Sequence, residues 1–439
     1  MKIAHIINQF PPNITAGLGR YIAEIAPRMA EGHRLTVFTP NDGRLPALER
    51  VGGVVVHRPG DRLLGAISRR RRLNRTRRLD FALLTLNVLV SNWRYFLRLL
   101  SAGRNGRPDL VAVHDSTNFL AGLLCHHLLR LPVVFHVHTT EYGVNRSHGT
   151  AGAKGLLAAV ERWLARVARR IVVPTPEVRD QLAASGWDRS SIEVVCLGGT
   201  FERLLAGDGP GGEALRARAG GLRARLGVGS DDTVLLFVGR IERQKGIYQL
   251  LEAMPRIVAA VPGLRLVIVG EGDDEGVRRI VAEAGLAGHV RTSGGWVGGE
   301  DLLEYYEMAD ACVFPSLFEP FGLVATEAMA MGKPTILGHG FSRIFLGDPA
   351  RPAARFVRGD DPDDIAEAVI ELMPDREARD SLAAEGERFV RKRLSWDRTT
   401  EETLAVYRSV LDGDPPGTRR RRHRPDDGGP VVRRSRPGP

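Results

Sequence analysis

The chain has 439 residues, 43% of them apolar and 26% charged, which is too long for one hydrophobic core and too mixed for a disordered or fibrous protein. Its net charge of +10 admits nucleic acid as a partner, but the last 26 residues, Asp414 to Pro439, carry eight Arg against three Asp and so supply +5 of it. The three cysteines, Cys125, Cys196 and Cys312, lie far apart without CxxC or Cys/His spacing, which speaks against a disulfide framework or a structural zinc and for a reducing compartment. Basic residues are almost all Arg, with five Lys in the chain, a pattern of coding bias as in GC-rich bacterial genomes rather than a binding signature.

The N-terminus opens on the apolar, strand-like Lys2 to Ile7 without a long apolar core and cleavage site, so the expected location is cytoplasmic. Apolar runs at Ile3–Ile7, Leu35–Phe38, Val54–Val56, Leu110–Val113, Val133–Val137, Ile171–Val173 and Ile192–Val195 alternate with helical stretches. This βαβ rhythm predicts an α/β fold with a parallel, doubly wound sheet. The first strand is followed by Pro11-Pro12 and Ala16-Gly17-Leu18-Gly19-Arg20, then an amphipathic helix to about Gly32. A plain tight turn and a loop that lets backbone approach a ligand both fit these glycines.

Ser68 to Leu79 reads SRRRRLNRTRRL, and the apolar stretch from Asp80 to Leu99 is broken by Thr85, Asn87, Ser91, Asn92 and Arg94, so it does not span a membrane. A buried helix with solvated arginines fits, and so do arginines that meet an anionic membrane surface or a phosphorylated acceptor. Phe135 to Glu141 ends a strand at the face where open α/β sheets bind ligands, and His136 and His138 share one side of it. A metal pair is set aside because no third ligand follows at plausible spacing. His114-Asp115 ends the neighbouring strand in the same way.

Leu197 to Gly229 is rich in glycine (GGT, GDGPGG, AGG) around a short Arg-rich helix and reads as a hinge and linker. A second domain opens with the buried strand Thr233 to Val238 running into Gly239-Arg240-Ile241-Glu242-Arg243-Gln244-Lys245-Gly246. Arg240 offers a fork of donors and Lys245 a point charge, a pairing suited to a diphosphate. After the apolar run Ala311 to Phe314 comes PSLFEPFGLVATEAMAMGKP, Pro315 to Pro334. Its alanines and methionines favour helix, Gly322 lies near the first turn, and Gly332 with Lys333-Pro334 stops it. Glu319 therefore falls on the loop before the helix and Glu327 within it. A helix N-terminus at the carboxyl end of a sheet favours an anion, and two carboxylates beside it accept hydrogen bonds from sugar and ribose hydroxyls.

The Glu-x7-Glu pair Glu319 and Glu327 within FEPFGLVATEAMAMGKP, with Gly-Arg-x4-Lys-Gly at Gly239 to Gly246, resembles the family-four retaining glycosyltransferases of the GT-B fold. The likeness covers roughly residues 1 to 411. It implies two Rossmann-like domains facing across a cleft: an acceptor-side domain over 1–200 with a returning helix at 395–411, a linker at 201–231, and a nucleotide-sugar-binding domain over 232–394. It implies that Arg240, Lys245 and the backbone of Gly322, Leu323 and Val324 bind the donor diphosphate, that Gly17 faces it, and that Val297 meets the base. By the same likeness Glu327 holds the ribose, and Glu319 and His138 face the transferred sugar as catalytic residues, with no metal and no cofactor beyond the nucleoside diphosphate sugar. Ala16 stands where a first glycine is usual, and Gly338 to Arg343 replaces the usual Gly-Gly-x-Pro-Glu loop.

The expected reaction moves a sugar from a nucleoside diphosphate sugar to a small-molecule, glycan or lipid-linked acceptor, with peripheral contact at the inner face of the membrane and no specific nucleic acid. An epimerase or hydrolase on the same fold would need acid and base groups at the sugar ring, of which no clear set stands in the sequence. A non-catalytic basic adaptor would tolerate loss of both glutamates. Residues 412–439, of Pro, Gly and Arg, bury too little apolar surface to order themselves.

Overall fold

The computed structural model describes residues 1–14, 17–41, 43–59, 77–138, 154–199 and 212–413. Ala16, the arginines from Arg69 to Arg75, the residues after His138 up to 153, and the tail from Asp414 lie outside the described residues.

The first half folds as β1 (Lys2–Ile6), α1 (Gly17–Ala30), β2 (Arg34–Phe38), β3 (Leu48–Val51), β4 (Val54–His57), α2 (Arg77–Ser101), β5 (Leu110–His114), α3 (Phe119–His127), β6 (Val133–His136), α4 (Lys154–Val167), β7 (Arg170–Val173), α5 (Pro176–Ala184) and β8 (Ile192–Val194). Every apolar run read as a strand in this half is one. They form a single sheet in the order β3-β4-β2-β1-β5-β6-β7-β8, parallel except for the β3–β4 hairpin. The expectations missed β3 because Leu-Glu-Arg-Val carries no apolar run; it is a half-exposed edge strand. Its signal was the turn at Gly52-Gly53, where φ of +54° and +82° fits a two-residue hairpin that demands glycine.

The second half continues with α6 (Gly212–Arg225), β9 (Thr233–Val238), α7 (Ile247–Ala260), β10 (Leu264–Val269), α8 (Asp274–Glu283), β11 (Val290–Thr292), α9 (Glu300–Met308), β12 (Ala311–Phe314), α10 (Leu323–Ala330), β13 (Thr335–Gly338), β14 (Arg355–Val357), α11 (Pro362–Leu372), α12 (Arg376–Arg393) and α13 (Trp396–Leu411). A second sheet runs β11-β10-β9-β12-β13-β14, with every pair parallel. The short Arg-rich helix expected within a linker is α6, and it is packed rather than free. Leu215, Ala219 and Leu222 are buried and the helix packs on α9, so from Gly212 this stretch belongs to the second domain. Four-residue spacing of apolar side chains put one face of it inward despite Gly220 and Gly221.

Alternation along the strands sorts the core into layers. In β1, Ile3 joins α1 and α13 on one side while Ala4 and Ile6 join α2, α3 and α4 on the other. In β9, Val234 and Leu236 face α9 and α10, and Leu235 and Phe237 face α7 and α11. The cluster holding α1 and α13 is continuous with the one holding α9 and α10, so the domains share an apolar seam. The chain leaves the first domain at Gly198-Gly199 and re-enters it at Ser395-Trp396. These two passes touch: Gly199 N–H donates to the Leu394 carbonyl at 3.2 Å, and a Cβ on Gly198 would lie 2.4 Å from the Trp396 nitrogen. α13 then crosses back to pack on α1.

Candidate functional site

The second domain brings most of the expected residues to the carboxyl ends of β9 and β12. β9 delivers Gly239-Arg240, and one turn of 3₁₀ helix at Arg243–Lys245 ends in Gly246. Gly246 sits at φ +72° against the Pro315 carbonyl, where a Cβ would come within 2.1 Å, so only glycine closes this turn. The turn aims Lys245 across the β12 loop, and its Nζ lies 2.5 Å from Glu319 Oε2, with both side chains largely buried. Arg240 turns to its own neighbour, where both guanidinium nitrogens reach the Glu242 carboxylate at 2.8 and 2.9 Å. Arg240 is two-thirds exposed, so this pair is weak and easily exchanged.

After β12 the chain passes Glu319 and caps α10 with Gly322 at φ +95°. A Cβ on Gly322 would lie 2.2 Å from the Phe341 ring and 2.9 Å from Glu319 Cγ. The first amides of α10, on Leu323 and Val324, have no earlier turn to bond to, and they point an electropositive end at the space before the helix. Glu327 lies one turn in, buried, and accepts a hydrogen bond from the Tyr306 hydroxyl at 2.9 Å. Burial, with the Glu327 charge, pushes the Tyr306 pKa well above its ordinary value and keeps the phenol a donor. Tyr306 is a partner of Glu327 that the sequence reading missed; Tyr-x20-Glu carries no local signal. Val297, half-buried, sits on the loop between β11 and α9 beside the exposed Trp296.

The loop from Gly338 to Arg343, where the sequence departs from the family pattern, takes part in the site. Gly340 accepts from the Glu319 N–H through its carbonyl and donates to the Ser316 carbonyl, each at 3.0 Å. Ser342 Oγ donates to Glu177 Oε2 at 2.6 Å, and the Arg343 N–H to Oε1 at 3.0 Å. Glu177 opens α5 of the first domain, so this loop links Glu319 to both domains. Thr175 beside it donates to the Pro320 carbonyl at 3.1 Å.

From the first domain, α1 places Gly17 opposite α10: a Cβ there would contact Leu323 Cδ1 at 3.4 Å. One turn on, the Tyr21 ring meets His138 edge-on at a centroid distance of 4.8 Å. His138 ends a column of imidazoles that the sequence did not show. His5 Nδ1 lies 2.9 Å from His114 Nε2, and His114 Nδ1 lies 3.1 Å from His138 Nε2. His136 sits alongside with the hydroxyls of Tyr407 at 2.8 Å and Tyr21 at 3.4 Å. Burial lowers every one of these histidines, His5 and His138 to a pKa of about 3 and His114 and His136 well below the usual value, so all are neutral. The His138 N–H is held by Asp115 Oδ1 at 3.1 Å, and Asp115 itself stands at φ +56°, unusual for a residue with a Cβ.

A third histidine does stand beside the His136–His138 pair, contrary to the sequence expectation. β5 pairs His114 with His136, and the nitrogens of His114, His136 and His138 lie within 4.8 Å of one another. The rings are stacked within 15–23° of parallel and their nitrogens already bond to tyrosine or histidine. An imidazole lone pair lies in its ring plane, so three near-parallel rings do not aim at one point. The column fits a hydrogen-bonded support for His138 better than a metal centre. Asp361-Pro362-Asp363, after β14, is no metal pair either: Asp361 caps α11, and Asp363 pairs with Arg256 at 2.9 Å.

Two α/β domains, each built on a parallel sheet, have the architecture of the GT-B class of sugar-transferring enzymes. Residues 16–198 match the family description "Glycosyl transferase 4-like domain" and residues 221–389 match "Glycosyl transferases group 1". The chain is 30% identical to a D-inositol 3-phosphate glycosyltransferase of Thermomonospora curvata, over 90% of this chain and 91% of that one. It is 27% identical to a glycogen synthase of Mycobacterium tuberculosis, covering 94% and 96%. HepE of Anabaena, solved with UDP-glucose, superposes with a TM-score of 0.68 at 16% identity, over 93% of this chain and 100% of that one. The chain belongs to the family-four glycosyltransferases and is an enzyme of that kind. Among the described residues, no helix is long and apolar enough to cross a membrane.

Proposed function

We propose that this glycosyltransferase moves a sugar from a nucleoside diphosphate sugar to an acceptor hydroxyl in the cytoplasm, with retention at the anomeric carbon and without a divalent metal or other cofactor. The observation that carries this reading is the meeting of Lys245, Glu319 and the Gly322-capped end of α10 across from Gly17. Arg240, Lys245 and the amides of Leu323 and Val324 take the diphosphate and stabilise its charge as it leaves. Lys245 and Arg240 each rest on a carboxylate until phosphate displaces it. Glu327, steadied by Tyr306, accepts from the ribose hydroxyls, and Val297 meets the base through its backbone. Glu319 accepts from hydroxyls of the transferred sugar, and His138, neutral and fixed by His114 and Asp115, orients that sugar.

A double displacement needs a carboxylate on the sugar face opposite the diphosphate, whereas the family resemblance sets Glu319 against the sugar hydroxyls. Substitution on the front face follows: the anomeric carbon–phosphate bond breaks, the acceptor oxygen bonds on the same face, and its proton passes to the departing phosphate oxygen. A small molecule, a glycan or a lipid-linked sugar fits as acceptor. UDP-glucose is the first donor to test, because the similar HepE structure holds it. A thermal-shift screen of sugar nucleotides identifies the donor. NMR of the product's anomeric coupling, from an α-linked donor in EDTA, then reads the mechanism. An α-linked product is expected; a β-linked product, or activity lost in EDTA and restored by magnesium, overturns it.

A further inference from the structure

The histidine column has two ends, and only one of them is sealed. His5 and His114 are fully buried, and His5 Nε2 has no hydrogen-bond partner among the described residues. His138, just past the end of β6, is half-buried, and among the described residues its ring is bonded through Nε2 alone. The links between them, 2.9 Å from His5 Nδ1 to His114 Nε2 and 3.1 Å from His114 Nδ1 to His138 Nε2, are hydrogen-bond distances. The paired ring planes are 24° and 19° from parallel with centroids 5.2 and 5.4 Å apart, so the rings meet nitrogen to nitrogen at their edges, where imidazole N–H and lone pair lie. His136 stands outside this chain of bonds. Its nitrogens meet the hydroxyls of Tyr407 and Tyr21, which donate or accept as required.

Counting hydrogens leaves two arrangements. A neutral imidazole carries one N–H and one lone pair, and burial keeps all three rings neutral. Each link needs one hydrogen, because two lone pairs or two N–H groups facing each other repel. If His5 supplies the first link, His114 must supply the second from its Nδ1, and the hydrogen of His138 falls on Nδ1. If instead His138 supplies the second link from Nε2, His114 must supply the first from its own Nε2, and the hydrogen of His5 is stranded on the buried Nε2. A buried N–H without an acceptor forfeits its bond to water and is rare, whereas a bare lone pair is tolerated better. The sealed end therefore selects the first arrangement, and the open end inherits it.

We propose that the column sets the polarity of His138: with every hydrogen on Nδ1, His138 offers the site a hydrogen-bond donor and no free lone pair, and His5 and His114 are the positioning residues that make it so. A ring held this way does not take the acceptor's proton, and it serves by donating to an oxygen of the transferred sugar. The contact with sugar rests on the proposed function; the tautomer does not.

The test is nitrogen NMR of the full chain with isotope-labelled histidine, free of substrate at neutral pH, where long-range proton–nitrogen correlations read which nitrogen of each ring is protonated. The signals lost in His5→Leu, His114→Leu and His138→Asn identify the three rings. In wild type all three should carry hydrogen on Nδ1, and in His114→Leu, where nothing bonds Nε2, His138 should become a mixture of tautomers. Wild-type His138 protonated on Nε2, or on both nitrogens, overturns the proposal, and so does a pure Nδ1–H tautomer in a folded His114→Leu. Should that variant not fold, the wild-type spectrum decides. Turnover with UDP-glucose, or with the donor that the thermal-shift screen identifies, reads the donor role. The amide of Asn stands where Nδ1 was and that of Gln where Nε2 was, so His138→Asn should keep kcat within roughly tenfold of wild type while His138→Gln loses roughly 100-fold. His138→Gln losing no more than His138→Asn overturns the donor role. Wild-type turnover in both variants would overturn the contact with sugar and the place given to His138 in the proposed function, and the spectrum judges the column separately.

Discussion

The two domains face the same cleft with opposite chemistry. The second presents charges held in ion pairs, Lys245 on Glu319 and Arg240 on Glu242, which the proposed reading exchanges for phosphate. The first presents a buried, neutral column, His5–His114–His138, linked ring to ring by contacts between their nitrogens. On that reading, charge that changes partners is held in ion pairs, and a group that only holds a position is buried and stripped of charge.

The sharpest way to break this comparison is to remove the exchangeable charge. Lys245→Ala should lower kcat/KM by roughly 10- to 100-fold, the scale of a lost charge-assisted hydrogen bond to phosphate. On the proposed reading, in which the two carboxylates face different parts of the donor, Glu319→Gln should lower mainly kcat and Glu327→Gln should raise mainly donor KM. Steady-state kinetics in which both glutamate variants show the same pure KM effect would sink the division of roles.

The buried column makes the second prediction. Its histidines have folded-state pKa values below the unfolded 6.5, to about 3 for His5 and His138, so the unfolded chain binds the extra protons. Their stabilising effect is complete above pH 6.5 and is lost as pH falls from there toward 3. Each such group costs about 1.4 kcal/mol per pH unit in that window, or about 2 kcal/mol by pH 5. Urea midpoints at pH 7 and pH 5 read the loss directly. A flat profile would mean the histidines are protonated in the native state.

The smallest effect belongs to the tail. Ending the chain at Gly413 should change turnover of a soluble acceptor by less than about twofold, because the assigned residues all lie upstream. A large loss of rate in a folded truncated enzyme would place the tail in the site.

What the sequence made legible follows from how local each cause is. The clamp and the glutamate pair are each short-range: a strand and a glycine turn set Arg240 and Lys245 in one stretch, and a helix start sets Glu319, Gly322 and Glu327 in another, so each is legible in its own window and the family resemblance joins the two. The histidine column is assembled by strand register, with β1, β5 and β6 each contributing from far-apart stretches, and no window of sequence contains it. Tyr306 and Glu177 were missed for the same reason: each meets its partner, Glu327 in α10 or the loop at Ser342-Arg343, only through tertiary packing. α6 was mistaken for linker because its glycines outweighed a buried face that exists only against α9.

The paired crossings at Gly198 and Trp396 carry a consequence for the architecture as a whole. Since the chain departs from and returns to the first domain at one spot, residues 199–394 form an insertion into an otherwise continuous unit. The second domain is held by two adjacent strands of backbone rather than one. A doubled tether leaves it free to swing about that spot while denying it independent drift or twist, and it keeps the cleft's two walls at high effective concentration even when they part.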